Sequence, residues 1–309
     1  MRGRRIEATL GVSMRRPRVR IRRGGAVAAC AAVLLGVAGW AVLPPGAPAA
    51  RPAEAAAVFP ALQGPLNVSA DEVAVDNAGT ALTARGHVRL TYAAGVATAN
   101  FLRLRRADRT AELTGNVTIT DPKGRATGDD ITVVFTAGNQ ISRIAMDGGA
   151  GAETQDYALQ ADHILADRAV GRLTANGHVT LFTAPDLIVN GDKAVYNQGA
   201  HYGIVSGHVS ASNRAGRMLG QWVEFFQRKQ QAVVHGPVTA EVYGATITGA
   251  VAHLDFVKSS AVFTGHVLVT RRQGTLTADR VTILYAVRRL IAEGTTHAHF
   301  TDLEGGGAP

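Results

Sequence analysis

Four histidines, His87, His178, His208 and His266, each follow a glycine, and five aspartates, Asp71, Asp129, Asp162, Asp192 and Asp279, each open a strand-like stretch. Imidazoles in series suggest a metal ladder, and carboxylates in series suggest paired acid and base groups. The spacing argues against both. If each histidine belongs to a successive two-strand unit, equivalent side chains lie roughly 10 Å apart, too far to share an ion. Carboxylates that recur at one structural position serve turns and edges by local hydrogen bonding. His297 and His299 share one strand face, but two ligands without a third make a poor site. No nucleophile and base arrangement, phosphate loop or zinc spacing accompanies them. The expectation is a non-enzyme with no catalytic residue, no metal and no cofactor.

The elements that hold these residues form a repeat. Glycines recur at Gly86, Gly115, Gly177, Gly207, Gly236 and Gly265, with degenerate copies at Gly148 and Gly294, and the successive spacings are 29, 33, 29, 30, 29, 29 and 29. A second landmark falls at Asp71, Asn100, Asp129, Asp162, Asp192, Gln221, Ala250 and Asp279, spaced 29, 29, 33, 30, 29, 29 and 29. Two landmarks in one register define eight units. Alternation of apolar and polar residues resolves each unit into two strands, and no segment after residue 60 sustains a helical period. Turn residues separate the strands at "DNAG" (76–79), "DPKG" (121–124), "NQGA" (197–200) and "RRQG" (271–274). The expected body is one elongated all-β, antiparallel domain of about sixteen strands. The four extra residues between Asp129 and Gly148 read as a longer hairpin loop around "TAGNQ" (136–140).

A glycine inside a strand weakens it and is tolerated where the sheet bends, bulges or leaves room. The alternation places the glycines on the inward face, so their alignment predicts a crease along the wall and a folded trough. Its inward rows are Val73, Val75, Val88, Leu90, Leu102, Leu104, Val117, Ile119, Ile131, Val133, Phe135, Val179, Leu181, Val223, Phe225, Phe256, Val267, Val269, Ile283 and Tyr285. Such rows serve as an ordinary core or as a lining for hydrocarbon. The lining is mostly aliphatic, with few rings to fill its width. A fatty chain of a dozen carbons gains about 10 kcal/mol on leaving water, at about 0.8 kcal/mol per methylene.

The formal charge of +8 suggests an anionic partner until it is located. Residues 1–51 carry ten Arg and one Glu, whereas the rest carries 22 basic against 23 acidic residues. A nearly neutral body lacks the electrostatic footprint of nucleic-acid binding. The Arg block ending at Arg23 runs into an apolar stretch, 24–43, then "PPGAPAA" (44–50) and an Ala/Pro-rich linker over 51–65. This is an export leader, either a cleaved signal peptide or a retained anchor, and it delivers the body to the periplasm. Cys30, the only cysteine, lies in that leader, so no disulfide forms within the chain.

"TARGHVRL", "LTGNVTIT", "TANGHVTL" and "FTGHVLV" resemble the xGNVxV signature of OstA-like proteins of lipopolysaccharide transport, and "ATGDDITVVF", "VNGDKAVY" and "LTADRVTILY" resemble that family's strand starts. The resemblance covers Leu66 to about Thr301, with Pro237 as a departure at the position after the glycine. It implies a periplasmic open jelly roll that shelters lipid A chains and joins jelly-roll partners edge to edge. Leu66 to Val75 begins the wall and Leu290 to Thr301 ends it. Their unpaired backbone groups are expected to add strands from such partners or from a second copy, head to tail. The alternatives are a membrane-anchored transporter subunit of the same family and a structural or adhesive β-solenoid of parallel coils.

Overall fold

Val, Leu, Ile or Ala at alternate positions gives each strand one face that leaves water and one that stays in it. In Thr110–Asp121, for example, Ala111, Leu113, Val117 and Ile119 are buried, while Thr114 and Thr120 are exposed. The computed structural model describes residues 66–300, apart from 77, 93–94, 123, 139, 155–156, 184–186 and 215. The expected leader, the linker and residues 301–309 lie outside the described residues.

Eighteen strands follow one another: β1 (Leu66–Ser69), β2 (Glu72–Val75), β3 (Ala81–Tyr92), β4 (Gly95–Arg105), β5 (Thr110–Asp121), β6 (Gly124–Phe135), β7 (Ile141–Thr154), β8 (Tyr157–Asp167) and β9 (Arg172–Thr183), then β10 (Leu187–Asn197), β11 (Tyr202–Ser212), β12 (Gly216–Phe226), β13 (Gln231–Val242), β14 (Ala245–Asp255), β15 (Ser260–Arg271), β16 (Gly274–Leu284), β17 (Arg289–Glu293) and β18 (His297–Phe300). From β3 to β16 each strand pairs antiparallel with the next. That meander excludes the parallel-coil alternative, since every recorded pairing is antiparallel. Among the described residues the expected sixteen strands become eighteen, because the two outermost are each broken. β1 and β2 lie against opposite halves of β3, and β17 and β18 against opposite halves of β16.

Each neighbouring pair from β3 to β16 carries a register shift near mid-strand, as between Arg85 and Val88 or between Thr264 and Val267. A bulge bends the strand that holds it, so aligned bulges fold the wall into two legs. Buried side chains fall into two clusters. One runs from Ala84 to Val179 and the other from Leu187 to Ile283, and Leu181 and Ala194 touch both. Asx-type contacts close several turns. Asp76 Oδ1 accepts from the backbone N–H of Thr80 at 2.6 Å, and Asn197 Oδ1 accepts from that of Ala200 at 3.0 Å.

The longer third unit differs from its expectation. Its loop, 136–140, holds one residue more than the 106–109 loop, and the other three extra residues lengthen β6 and β7 around the loop. A second shift, between Val134 and Phe135, skips Ser142 and absorbs part of that length. Continued pairing satisfies backbone groups that a longer loop would leave to water.

Candidate binding trough

The crease has a geometry that the alternation did not indicate. Gly86 has φ +72° and His87, which follows it, φ 46°. A Cβ on Gly86 would overlap the carboxylate of Asp71 on the neighbouring strand. The glycine therefore makes room for a polar side chain at the outer surface, which corrects the expectation that it leaves room inside. Gly115, Gly177, Gly207 and Gly236 face Asn100, Asp162, Asp192 and Gln221 in the same way, and Gly265 faces Ala250. Left-handed backbone costs a side chain, and the neighbour already fills the space.

The two residue series that looked like separate chemistry meet at this crease. Nδ1 of His87 lies 2.8 Å from Asp71, that of His178 2.8 Å from Asp162, and that of His208 2.9 Å from Asp192. His163 on β8 makes a different contact, to its direct cross-strand partner Asp147 on β7, at 2.7 Å. The imidazoles of His87, His178 and His208 are more than nine-tenths exposed. Among the described residues no group of three or more His, Cys, Asp or Glu is placed to hold a metal. An interval of 16 between aspartate and histidine is the signal that could have found these pairs.

Inside the crease, twelve of the expected lining residues are buried: Val88, Leu90, Leu102, Val117, Ile119, Ile131, Val133, Val179, Val223, Val267, Val269 and Ile283. Leu104, Phe135, Leu181, Phe225, Phe256 and Tyr285 are half-buried and pack against the two clusters. Val73 and Val75 are 46% and 59% exposed. They share a face with inward Ala84 and Leu82, their partners on β3, and among the described residues β2 pairs with β3 alone. Along most of the trough, then, the two legs pack directly on each other.

Among the described residues, two spaces between the legs stand out. One, of about 130 Å³, lies where the clusters part and is bounded by Leu159, Leu181 and Thr183 on one leg and Leu173, Ala194 and Phe225 on the other. The second, of about 40 Å³, lies between Met218, Ala240 and Val242 on one leg and Phe263, Ile283 and Tyr285 on the other. Above it the lips touch. The Arg288 guanidinium sits 5.4 Å from the ring centre of Tyr243, and burial pushes the Tyr285 phenol well above its ordinary pKa.

Outside the trough, β11–β13 carry a polar and aromatic group that sequence reading passed over. Tyr202 donates to Glu224 Oε1 at 2.6 Å, Glu224 Oε2 lies 3.0 Å from His235 Nε2, and His235 stacks on Trp222 at 4.8 Å. The hydrogen bond from Tyr202, followed by His235, holds the Glu224 carboxyl below its usual range. Burial first, and then Glu224, pushes Tyr202 up to about 12. These residues are cross-strand neighbours, a relation visible only once the register is known.

A comparison with curated proteins finds no match. Among solved structures, the chain is similar to LptH of Pseudomonas aeruginosa, described as the LptA homologous periplasmic component of the conserved lipopolysaccharide transport device. Identity is 13%, the TM-score is 0.33, and the match covers 50% of this chain and 97% of that one. The family model for the LptA/(LptD N-terminal domain) LPS transport protein matches residues 60–139 and 246–308, the two ends of the ladder. Those two segments together make up just under half of the chain, and they carry copies of the repeat that resembles the OstA-like lipopolysaccharide-transport family.

Proposed function

We propose that this chain is a periplasmic lipopolysaccharide-transport protein whose trough shelters lipid A acyl chains and hands them on through edge-to-edge contacts. The observation that carries this reading is the apolar inner face, which runs through both clusters and ends at each edge in exposed apolar side chains. At one end these are Val73 and Val75, and at the other Phe300 is 62% exposed. An edge strand at each end leaves backbone groups for a partner strand. The route is passive, since burial of acyl methylenes is enough to hold a lipid.

The packed interior sets a condition on this reading. Hydrocarbon enters by parting the legs, and the acyl chain then replaces the contacts that the legs lose to each other. In-cell photocrosslinking from Leu104, Val133 and Phe225 tests it. Lipopolysaccharide adducts at these inward positions, and none at the outward Thr132, are expected. Adducts at Thr132 alone, or at no position, would refute the trough.

A further inference from the structure

The space between the two clusters is lined by a buried polar side chain. Thr183 is 5% exposed, and among the described residues its hydroxyl has no hydrogen-bond partner. A buried hydroxyl left unpaired is costly, on the order of 1–3 kcal/mol, and such groups normally find a partner. The residues around it are apolar: Leu159 and Leu181 on its own leg, Leu173, Ala194 and Phe225 opposite. At the outer side Tyr196 donates to Gln227 Oε1 at 2.6 Å, which gives the slot a polar lip.

The width has a local cause. Ala175 on β9 and Ala194 on β10 are direct cross-strand partners, and Gly203 on β11 lies opposite Tyr196, two residues further along the same leg. A Cβ on Gly203 would meet the Tyr196 ring at 3.3 Å and the Phe225 ring at 4.0 Å. Larger residues there would close the gap that separates the clusters.

We infer that this pocket binds one acyl chain, its hydrocarbon between the legs and the carbonyl or hydroxyl of its polar end hydrogen-bonded to Thr183. The inference rests on the trough reading and adds a single defined seat within it. A plain hydrocarbon leaves the hydroxyl unpaired, whereas an acyl group brings both the apolar body and the missing partner. Lipopolysaccharide and glycerophospholipid both carry such chains.

Titration of the purified full chain with cis-parinaric acid, whose fluorescence rises in an apolar slot, tests the assignment. Saturable binding at one site is expected. Ala194→Phe fills the slot and lowers affinity at least tenfold. Thr183→Val keeps the shape, removes the hydroxyl, weakens binding about 3- to 10-fold and leaves the thermal midpoint unchanged or higher. Displacement by lipopolysaccharide identifies one source, and displacement by phosphatidylethanolamine vesicles the other; either supports an acyl seat, and displacement by neither overturns it. Wild-type affinity in folded Ala194→Phe, or in Thr183→Val, also overturns it. If lipid still crosslinks at Leu104, only the pocket falls; if it crosslinks nowhere in the trough, the functional reading falls with it.

Discussion

Nδ1 of His178 lies 2.8 Å from the carboxylate of Asp162, and the same carboxylate fills the space that a Cβ on Gly177 would need. One side chain on β8 therefore explains two residues on β9. A strand that bulges here presents a left-handed glycine to its neighbour and, in this unit, a polar residue just after it. The crease consequently repeats the glycine and its partner together.

Gly177→Ala should destabilise the fold by about 1–3 kcal/mol, because it adds left-handed strain and an overlap with Asp162. Asp162→Gly in the same chain removes the overlap and leaves the strain, so the double variant should recover part of the loss. Urea midpoints of the three variants measure the coupling. Strict additivity would mean that the two residues do not share space.

The residue after the crease glycine, except at Pro237, has a left-handed backbone in its own right, with φ 46° at His178 and 49° at Asn116. His178→Asn should fall within about 0.5 kcal/mol of the wild type, since asparagine tolerates this region and the lost side-chain contact is exposed. His178→Val should cost about 1–2 kcal/mol, because a β-branched residue resists it. Thermal unfolding of both variants separates backbone strain from the contact to Asp162; equal losses would place the cost in the lost imidazole.

The Tyr202–Glu224 pair predicts two opposite pH limits. Glu224 titrates below its unfolded value, so its contribution to stability is present above the unfolded carboxylate pKa and fades as pH falls through the lower, folded one. Tyr202 titrates above its unfolded value, at about 12, so its contribution is present below the ordinary tyrosine pKa and fades as pH rises through the folded one. Tyrosinate absorbance in wild type and Tyr202→Phe should differ by one late-titrating phenol. Glu224→Gln should shift that phenol downward.

Edge pairing is sensitive to charge at the open end. Val73→Lys and Val75→Lys place ammonium groups on exposed positions of β2, so monomer stability should change by less than about 0.5 kcal/mol. Association through this edge should weaken sharply, because an edge lysine opposes strand addition. Sedimentation velocity across a range of concentrations reads both states. Unaltered association would assign self-assembly to another surface.

Much of this molecule is written in local pattern. The 29-residue period, the alternation, the turn residues and the inward rows depend on neighbours within a dozen positions, and strand pleating converts each of them directly into a face. The breaks in the outermost strands, and the lengthened strands that replaced the expected loop in the third unit, depend on what each strand finds beside it. So does the role of the glycines: Gly86 reads as an inward gap until β3 is laid against Asp71. Tertiary packing alone decided that the two legs close on each other, that the core divides between Val179 and Leu187, and that Thr183 is left facing the gap. Those features depend on twist and on the distance between residues of opposite legs, such as Leu159 and Phe225 across the pocket, and no periodicity along one strand records that distance.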